Sequence, residues 1–329
     1  MSDLFSALPG IEASVSSVSK SLNQMWAATA AAGKSAPAVD EVKATQLNLV
    51  LHFGLPTQPE DGLQQFQTAL RFAHRYPCRV VVLCPLPETS DQKEIRAKVY
   101  GECFFGKSKG DTRCIEFVIL SYPVSARPFL ESQVSVCLST DLPLYYWVHR
   151  FSQSSRLSEY QYLLRRSKRM IFDTAVVPED ALTYPWPRPE AVRDLAYARL
   201  LHVRQLVGQF LAGVAPKLLV TGLRSVSLHP ASTYRAEAIS LSRWLQERLV
   251  ACGWDPKAHV DVAEGAETSD QDSLSLVFHY DDGKRFRWRG DFTTHQASFD
   301  ASFGSDSTRL PSSVSLLAPE AALSEAMFF

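Results

Sequence analysis

The 329-residue sequence has few of the features that identify an enzyme, a membrane protein or a nucleic-acid-binding protein. It contains no G-x-S-x-G, H-E-x-x-H or G-x-G-x-x-G motif and no run of about 18 apolar residues. Lys and Arg number 34 against 35 Asp and Glu, so the net charge of −1 creates no field that attracts nucleic acid. With 46% hydrophobic residues, the composition predicts a globular, cytoplasmic protein with a sizeable core.

Cysteine is also sparse and scattered. The six cysteines occur singly, without a C-x-x-C motif or a Cys/His spacing typical of metal ligands. We therefore expect free, buried thiols, no metal site and no cofactor. The eight histidines are scattered too, and His149, His202, His229 and His279 lie in apolar segments where a histidine is usually a satisfied core residue.

The apolar patterning predicts an α/β protein in which a mixed sheet is flanked by helices, followed by a second α+β domain with a C-terminal β-meander. Residues 1–44 are expected to form an N-terminal helix, over 11–32, and a linker. Residues 45–180 form the α/β domain, and residues 181–329 form the α+β domain. The second domain is expected to contain long helices, a strand over 217–229, a hairpin around Asp282-Gly283 with both residues at positive φ, and an irregular Ser-rich tail from 301.

The segment 193–211 predicts one long helix with a buried stripe. Its apolar residues recur at steps of four and three, at Ala196, Leu200, Val203, Val207 and Phe210. The remaining faces carry charged and aromatic residues at fixed positions, namely Asp194, Tyr197, Arg199 and Arg204. Such a helix is a rigid platform, which serves either as core structure or as a docking surface.

One motif, G-x-x-x-x-G-K-[ST], matches a phosphate-binding loop over residues 101–108, which read GECFFGKS. A phosphate-binding loop must run directly into a helix, so that backbone N–H groups point at the phosphates. Here the following KGD segment breaks a helix and precedes a strand-like run, and the loop interior is bulky and acidic. We expect a hairpin; a nucleotide hydrolase or kinase is the alternative, and a helix after Ser108 would favour it.

Two further features have both a functional and a structural interpretation. Arg285, Arg287 and Arg289 alternate along a predicted strand, so their side chains share one face that could receive an acidic partner. We favour a solvated face balanced by Asp281, Asp282 and Asp291. Trp186, between two prolines, is a candidate partner-binding anchor, although packing on the following helix is the favoured alternative.

Six segments, in order and spacing, resemble the glucose-6-phosphate dehydrogenase assembly protein OpcA family over about residues 45–255. The segments are RYPCRVVVL at 75–83, CIEFVIL at 114–120, STDLPLYYWVH at 139–149, SKRMIFDTAV at 167–176, RDLAYARLLHVRQLVGQF at 193–210 and AEAISLSRWLQERLVACGW at 236–254. The family's pattern residues in this chain, of unassigned role, are Arg79, Glu116, Asp141 with Pro143, Trp147, Asp173, the 193–210 helix residues and Trp244. Tyr197 departs from the pattern, which has tryptophan at this position.

The resemblance implies a non-enzymatic subunit that binds glucose-6-phosphate dehydrogenase and favours its active oligomer, an allosteric activation that raises flux into the oxidative pentose phosphate pathway. NADP then belongs to the partner, and we expect no small-molecule substrate. The partner-binding candidates are Asp194, Tyr197, Arg199, Arg204 and Trp186. An α/β scaffold with an unrelated protein partner is the other alternative.

Overall fold

The computed structural model describes residues 4–33, 36, 45–105, 112–139, 141–263, 273–304 and 307–329. The chain divides into two compact units. The first comprises residues 1–194 and 323–329, and the second comprises residues 195–322. Residues 181–194 thus group with the first unit, whereas the sequence pattern placed the boundary at 180.

The first unit is built on an eight-stranded mixed sheet with the order β1-β4-β5-β3-β2-β6-β7-β8. Its strands are β1 (Ile11–Ala13), β2 (Leu47–Phe53), β3 (Cys78–Leu86), β4 (Arg96–Phe105), β5 (Thr112–Pro123), β6 (Leu144–His149), β7 (Arg169–Phe172) and β8 (Val192–Asp194). The β1–β4 and β4–β5 pairs are antiparallel, and the other neighbours are parallel. Every residue of the central strand β2 is buried, as expected where helices cover both faces of a sheet.

Short and long helices accompany this sheet. They are α1 (Leu4–Ala7), α2 (Val18–Ala31), α3 (Pro59–Arg75), α4 (Arg127–Cys137), α5 (Ser154–Leu157), α6 (Gln161–Arg166) and, near the C-terminus, α11 (Pro319–Phe328). Helix α3 begins with a proline followed by Glu60 and Asp61 and ends with His74 and Arg75, an arrangement that suits the helix dipole. Short 3₁₀ turns occupy 15–17, 124–126, 179–182 and 189–191.

The second unit contains a six-stranded sheet with the order β10-β9-β11-β12-β13-β14. Its strands are β9 (Leu223–Pro230), β10 (Val260–Val262), β11 (Ser273–Tyr280), β12 (Arg285–Asp291), β13 (Gln296–Ser302) and β14 (Ser307–Ser313), and its helices are α7 (Leu195–Arg199), α8 (Leu201–Ala212), α9 (Pro216–Val220) and α10 (Arg235–Ala251). Alternate residues of β11, β12 and β13 are buried, which is typical of a sheet packed on one face only. Val203 and Val207 of α8 and Leu241 and Leu245 of α10 belong to that core.

The fold class is therefore as predicted, but several elements differ from the sequence pattern. The helix expected over 11–32 begins only at Val18, because residues 11–13 pair with β4 as an edge strand and leave Ile11 62% exposed. The strand expected over 217–229 is split. Helix α9 starts with Pro216, and Gly222 at a φ of 67° ends this turn before β9 begins.

The C-terminal region is more regular than predicted. The tail from 301 contains strand β14, whose seven residues pair with β13, and helix α11. Pairing with a neighbouring strand satisfies the backbone of this Ser-rich segment, so tertiary context overrides its low strand propensity. In the hairpin between β11 and β12, only Gly283 has positive φ, and the connection spans residues 281–284 rather than two residues.

The G-x-x-x-x-G-K-[ST] match does not have the arrangement that a phosphate-binding loop requires. Residues 101–105 belong to β4, and the next described segment is the antiparallel strand β5, with Phe105 paired to Thr112. Gly106, Lys107 and Ser108 lie outside the described residues. The expected hairpin is confirmed, and a strand rather than a helix follows the motif.

The same hairpin corrects the prediction that all cysteines are free. Cys103 and Cys114 are directly opposite each other on β4 and β5 and form a disulfide. They are 11 residues apart in sequence, and their proximity depends on strand register, which spacing alone does not reveal. Cys78, Cys84 and Cys137 are buried and take no part in a disulfide, and Cys252 is half-buried.

Candidate functional site

The predicted platform over 193–211 is not one continuous helix. Residues 193–194 end strand β8, α7 follows, and α8 begins after Leu200. The Leu200 N–H donates to the Tyr197 carbonyl, a 3₁₀-type bond, and the Arg204 N–H then donates to the Leu200 carbonyl. The buried stripe is nevertheless confirmed at Ala196, Leu200, Val203 and Val207, which have no exposed surface. Phe210, its fifth member, is half-buried and packs against the same core.

Tyr197 and Arg204 form a surface pair two helical turns apart. Tyr197 is 38% exposed. The Arg204 Nη1 donates a 2.8 Å hydrogen bond to the Tyr197 hydroxyl, and Arg204 Cζ lies 3.8 Å from the ring centroid. The guanidinium is thus held over the ring by a cation–π contact. Arg204 itself is half-buried, with its Nε and Nη2 atoms buried, beside the partly exposed Tyr197 ring.

Arg199 has a different role, because its side chain faces inward. Its Nε and Nη2 lie 2.9 and 2.6 Å from one carboxylate oxygen of Glu237 on α10. The Arg199 side chain is 19% exposed and that of Glu237 is 4% exposed. This ion pair joins α7 to α10 inside the second unit. In the sequence, Arg199 and Arg204 look equivalent, because nothing there shows that Glu237, 38 residues away, pairs with Arg199.

The other two partner-binding candidates are also engaged within the first unit. Asp194 is buried and accepts hydrogen bonds from the backbone N–H and the hydroxyl of Thr174. Trp186 is 4% exposed, donates its indole N–H to the Ala181 carbonyl at 2.7 Å, and packs beside Phe151. Trp186 thus belongs to the hydrophobic core of the first unit.

The family-pattern residues Arg79 and Glu116 form an ion pair that anchors helix α2. They are register partners on β3 and β5, and Arg79 Nη2 lies 2.6 Å from Glu116 Oε2. The Trp26 indole N–H donates to Glu116 Oε1 at 2.8 Å. A Cβ atom at Gly101 would approach the Trp26 ring within 2.6 Å, so glycine lets the indole cross β4 to reach the carboxylate.

The remaining pattern residues of the first unit lie within or next to strands β6 and β7. Asp141 adopts a φ of 68° in the turn before β6. Trp147 is 1% exposed within β6. Asp173 follows β7 and accepts a 3.0 Å hydrogen bond from the Ala175 N–H. These positions are consistent with structural roles within the first unit.

Trp244 lies on the second unit's helical side. It is half-buried on α10, and with Gly208 of α8 and Leu219 of α9 it lines a pocket of about 240 Å³. A half-buried tryptophan beside a groove is a feature of helix packing and of docking surfaces alike.

The alternating arginines of β12 do share the open face of the second sheet, as their register requires. Arg285 is paired with Asp300 of β13 at 3.1 Å, whereas Asp282 is paired with Lys284 and Asp281 with Arg224. Asp300, rather than the predicted Asp281 and Asp282, therefore balances Arg285. In the β12–β13 register, the residue directly opposite Asp300 is Arg287.

A buried histidine at the end of β6 pairs with an aspartate that the sequence pattern did not single out. His149 is buried and its Nε2 lies 2.8 Å from Asp61, which also accepts from Arg150. Burial lowers the pKa of His149 and outweighs the opposing effect of Asp61. This matches the expectation of a satisfied core histidine, whereas His202 and His279 are exposed. Strand topology brings Asp61 and His149 together, although they are 88 residues apart.

Within the described ranges, no group of three or more His, Cys, Asp or Glu side chains could hold a metal ion. Likewise, none of the helices in those ranges combines the length and the apolar character needed to cross a membrane.

The fold defines an α/β protein with a mixed, helix-flanked sheet, and comparison with known proteins shows which family it resembles. Residues 69–184 match the family model described as glucose-6-phosphate dehydrogenase subunit N-terminal domain, OpcA_G6PD_assem. The chain is also 24% identical over 189 residues to a Synechocystis sp. protein described provisionally as OxPP cycle protein OpcA. That match covers 56% of this chain and 38% of the relative, so it spans little more than a third of the relative's length. The predicted resemblance to the OpcA family is confirmed by these two matches.

Proposed function

We propose that this protein is a non-enzymatic assembly subunit that binds glucose-6-phosphate dehydrogenase and favours its active oligomer. The observation that carries the proposal is the match of residues 69–184 to the family named for that enzyme. A protein without catalytic chemistry of its own can activate an enzyme by binding the active state more tightly than the inactive one.

Tyr197 and Arg204 are the candidates we assign to the contact surface. Tyrosine and arginine are over-represented among the residues that dominate binding energy at interfaces. The stacked, hydrogen-bonded pair is already ordered, so association loses less side-chain entropy there. We do not assign Arg199 to this surface, because its side chain is paired with the buried Glu237.

The test measures activity and oligomeric state of the purified dehydrogenase at limiting and saturating concentrations of this protein. Arg204→Ala should weaken the interaction by about 1–3 kcal/mol, with an unchanged melting temperature. Arg243→Ala, which removes an exposed arginine from α10, is the matched control and should bind normally. If the unmodified protein changes neither the oligomeric state nor the activity of the dehydrogenase, the assembly function is wrong. If the unmodified protein does change them and Arg204→Ala binds as tightly, the contact surface lies elsewhere.

The alternative of a nucleotide hydrolase or kinase has no support from the β4–β5 geometry, because β5 follows the motif. An ATP titration monitored by calorimetry checks it directly. Saturable binding that Lys107→Ala abolishes would favour the enzyme.

A further inference from the structure

A pair of neighbouring pockets lies at the carboxyl edge of the parallel strands in the first unit. The inner pocket, of about 50 Å³, is lined by His52, Phe53, Pro85 and Val148 from the ends of β2, β3 and β6, and by residues that follow β6. The outer pocket, of about 290 Å³, lies between α4 and α6. Arg127 and Tyr160 line both pockets, so these two side chains lie at the boundary between them.

The position of these pockets is that of a ligand site in open α/β sheets. The chain first adds β3 and β5 on one side of β2. It then crosses over and adds β6, β7 and β8 on the other side, so the direction in which strands are added reverses between β2 and β6. Crevices at the carboxyl ends of strands beside such a reversal commonly bind ligands. β2 and β6 approach very closely there, since a Cβ atom at Gly54 would lie 2.0 Å from the Arg150 carbonyl oxygen.

A buried chain of hydrogen bonds leads into the inner pocket. His52 Nδ1 lies 2.6 Å from the Tyr146 hydroxyl, and His52 Nε2 lies 2.7 Å from the Tyr122 hydroxyl. The Tyr122 hydroxyl lies 2.8 Å from that of Tyr160. Burial, together with the nearby Arg127, lowers the pKa of His52 to about 3, so the imidazole is neutral and has one N–H.

Counting hydrogens fixes the direction of this chain. One imidazole N–H and three hydroxyls supply four hydrogens for three bonds, so one O–H at an end of the chain is left over. Left on Tyr146, which has no exposed surface, this hydrogen would be a buried, unsatisfied donor, which costs about 1–3 kcal/mol. The favoured direction leaves it on Tyr160, which lines the pockets. Burial raises the pKa of Tyr160, so its hydroxyl keeps the proton that it donates.

The charged groups at the inner pocket are also donors. Arg127 Nε is buried and has no hydrogen-bond partner among the described residues, while its Nη1 donates to Glu159. Arg156 contributes a second guanidinium. Within the described part of the chain, no carboxylate lines the inner pocket, whereas Glu131 and Glu159 line the outer one.

From this geometry we propose that the first unit binds a small organic anion, with its single oxyanion group in the inner pocket against Tyr160, Arg127 and Arg156, and its neutral body in the outer pocket. A cavity of about 10–15 Å³ holds one water, so the inner pocket accommodates a carboxylate or phosphate head. The two carboxylates of the outer pocket disfavour a second negative charge at the far end of the ligand.

The proposal is tested by calorimetric titration of the full chain with benzoate, phenyl phosphate and terephthalate. We expect saturable binding of at least one of the first two probes, which also distinguishes a carboxylate from a phosphate preference. Terephthalate, with a carboxylate at each end, should bind more weakly than benzoate. No saturable binding of either benzoate or phenyl phosphate, or tighter binding of terephthalate, would overturn the proposal.

Two variants and two controls locate the site. Tyr160→Phe and Arg156→Gln should each weaken binding about tenfold or more, because each removes a donor to a charged group. Tyr184→Phe and Arg165→Gln should stay within about twofold of the unmodified protein. Arg165 is a close match, since its Nε bonds Gln161 as the Nε of Arg156 bonds Gln153. Binding that neither Tyr160→Phe nor Arg156→Gln weakens would place the anion elsewhere and disprove the assignment.

Discussion

Arg199 and Glu237 join α7 to α10 through two hydrogen bonds from one guanidinium to one carboxylate oxygen, with the Glu237 side chain only 4% exposed. The pair separates two arginines that look equivalent in sequence. Arg199 stabilises the second unit, whereas Arg204 lies over the exposed Tyr197.

Arg199→Ala should lower the free energy of unfolding by about 3 kcal/mol, because it leaves the Glu237 carboxylate buried without its main cation. Urea unfolding measures this change, with Arg243→Ala as the control. Replacing both Arg199 and Glu237 by Ala should cost less than the sum of the single changes, since no charge is then left behind. Additive costs would argue against the ion pair.

Helix α2 should depend on Trp26 in a way that a double-mutant cycle can measure. The indole N–H donates to the Glu116 carboxylate, and Glu116 is also paired with Arg79. Trp26→Phe should destabilise the unmodified protein by about 1–3 kcal/mol more than it destabilises the Glu116→Ala variant, which has no side-chain acceptor for the indole N–H. A coupling energy near zero would show that Trp26 contributes by packing alone.

Residues whose role is local could be predicted from the sequence, and residues whose role depends on topology could not. The buried stripe through Leu200, Val203 and Val207 follows from helical periodicity, and the mixed sheet follows from the order of apolar segments. The ion pair of Arg199 needs a residue 38 positions away, and the disulfide needs the β4–β5 register. Strand β14 was missed because its Ser-rich sequence has low strand propensity and is stabilised by pairing with β13.

The candidate sites divide in the same way. Tyr197 and Arg204 are seven residues apart on one face, a spacing that the sequence makes visible. The anion pocket gathers His52, Tyr122, Arg127 and Tyr160 from the ends of separate strands and the segments after them. No linear motif joins these residues, although topology predicts ligand sites at this edge once the strand order is known.

The Cys103–Cys114 disulfide should stabilise the first unit by up to about 3 kcal/mol, the value expected when a loop of this length is closed in the unfolded chain. Urea unfolding with and without dithiothreitol measures the effect. Cys103→Ser should unfold at a lower urea concentration than the oxidised protein and should not respond to the reductant. Cys252→Ser, at a half-buried free thiol, should keep the full response. A reductant that leaves the unmodified protein unchanged would contradict this prediction.

The last prediction concerns the pH dependence of stability. The pKa of His52 is about 3 in the folded protein because burial disfavours the imidazolium, and it returns to about 6.5 on unfolding. Between these values the unfolded chain binds a proton that the folded protein does not, so stability falls as the pH falls, by up to about 1.4 kcal/mol per unit. Above pH 6.5 this contribution is complete. The groups facing His52 are Tyr122, Tyr146, Tyr160 and Arg127, and none of these side chains accepts a proton in that range.

His52→Gln isolates the contribution of His52 to the pH dependence of stability, because glutamine can form hydrogen bonds but does not titrate. At pH 8 the variant should be less stable than the unmodified protein, because the amide cannot reproduce both hydrogen bonds of the imidazole to Tyr122 and Tyr146 with the same geometry. Between pH 6.5 and 4.5 it should lose less stability than the unmodified protein. His149, whose pKa burial also lowers, leaves part of the slope in place. His202→Gln, at an exposed histidine, should keep the slope of the unmodified protein. Urea unfolding at several pH values gives all three slopes, and equal slopes for His52→Gln and His202→Gln would mean that His52 is not the buried neutral group described above.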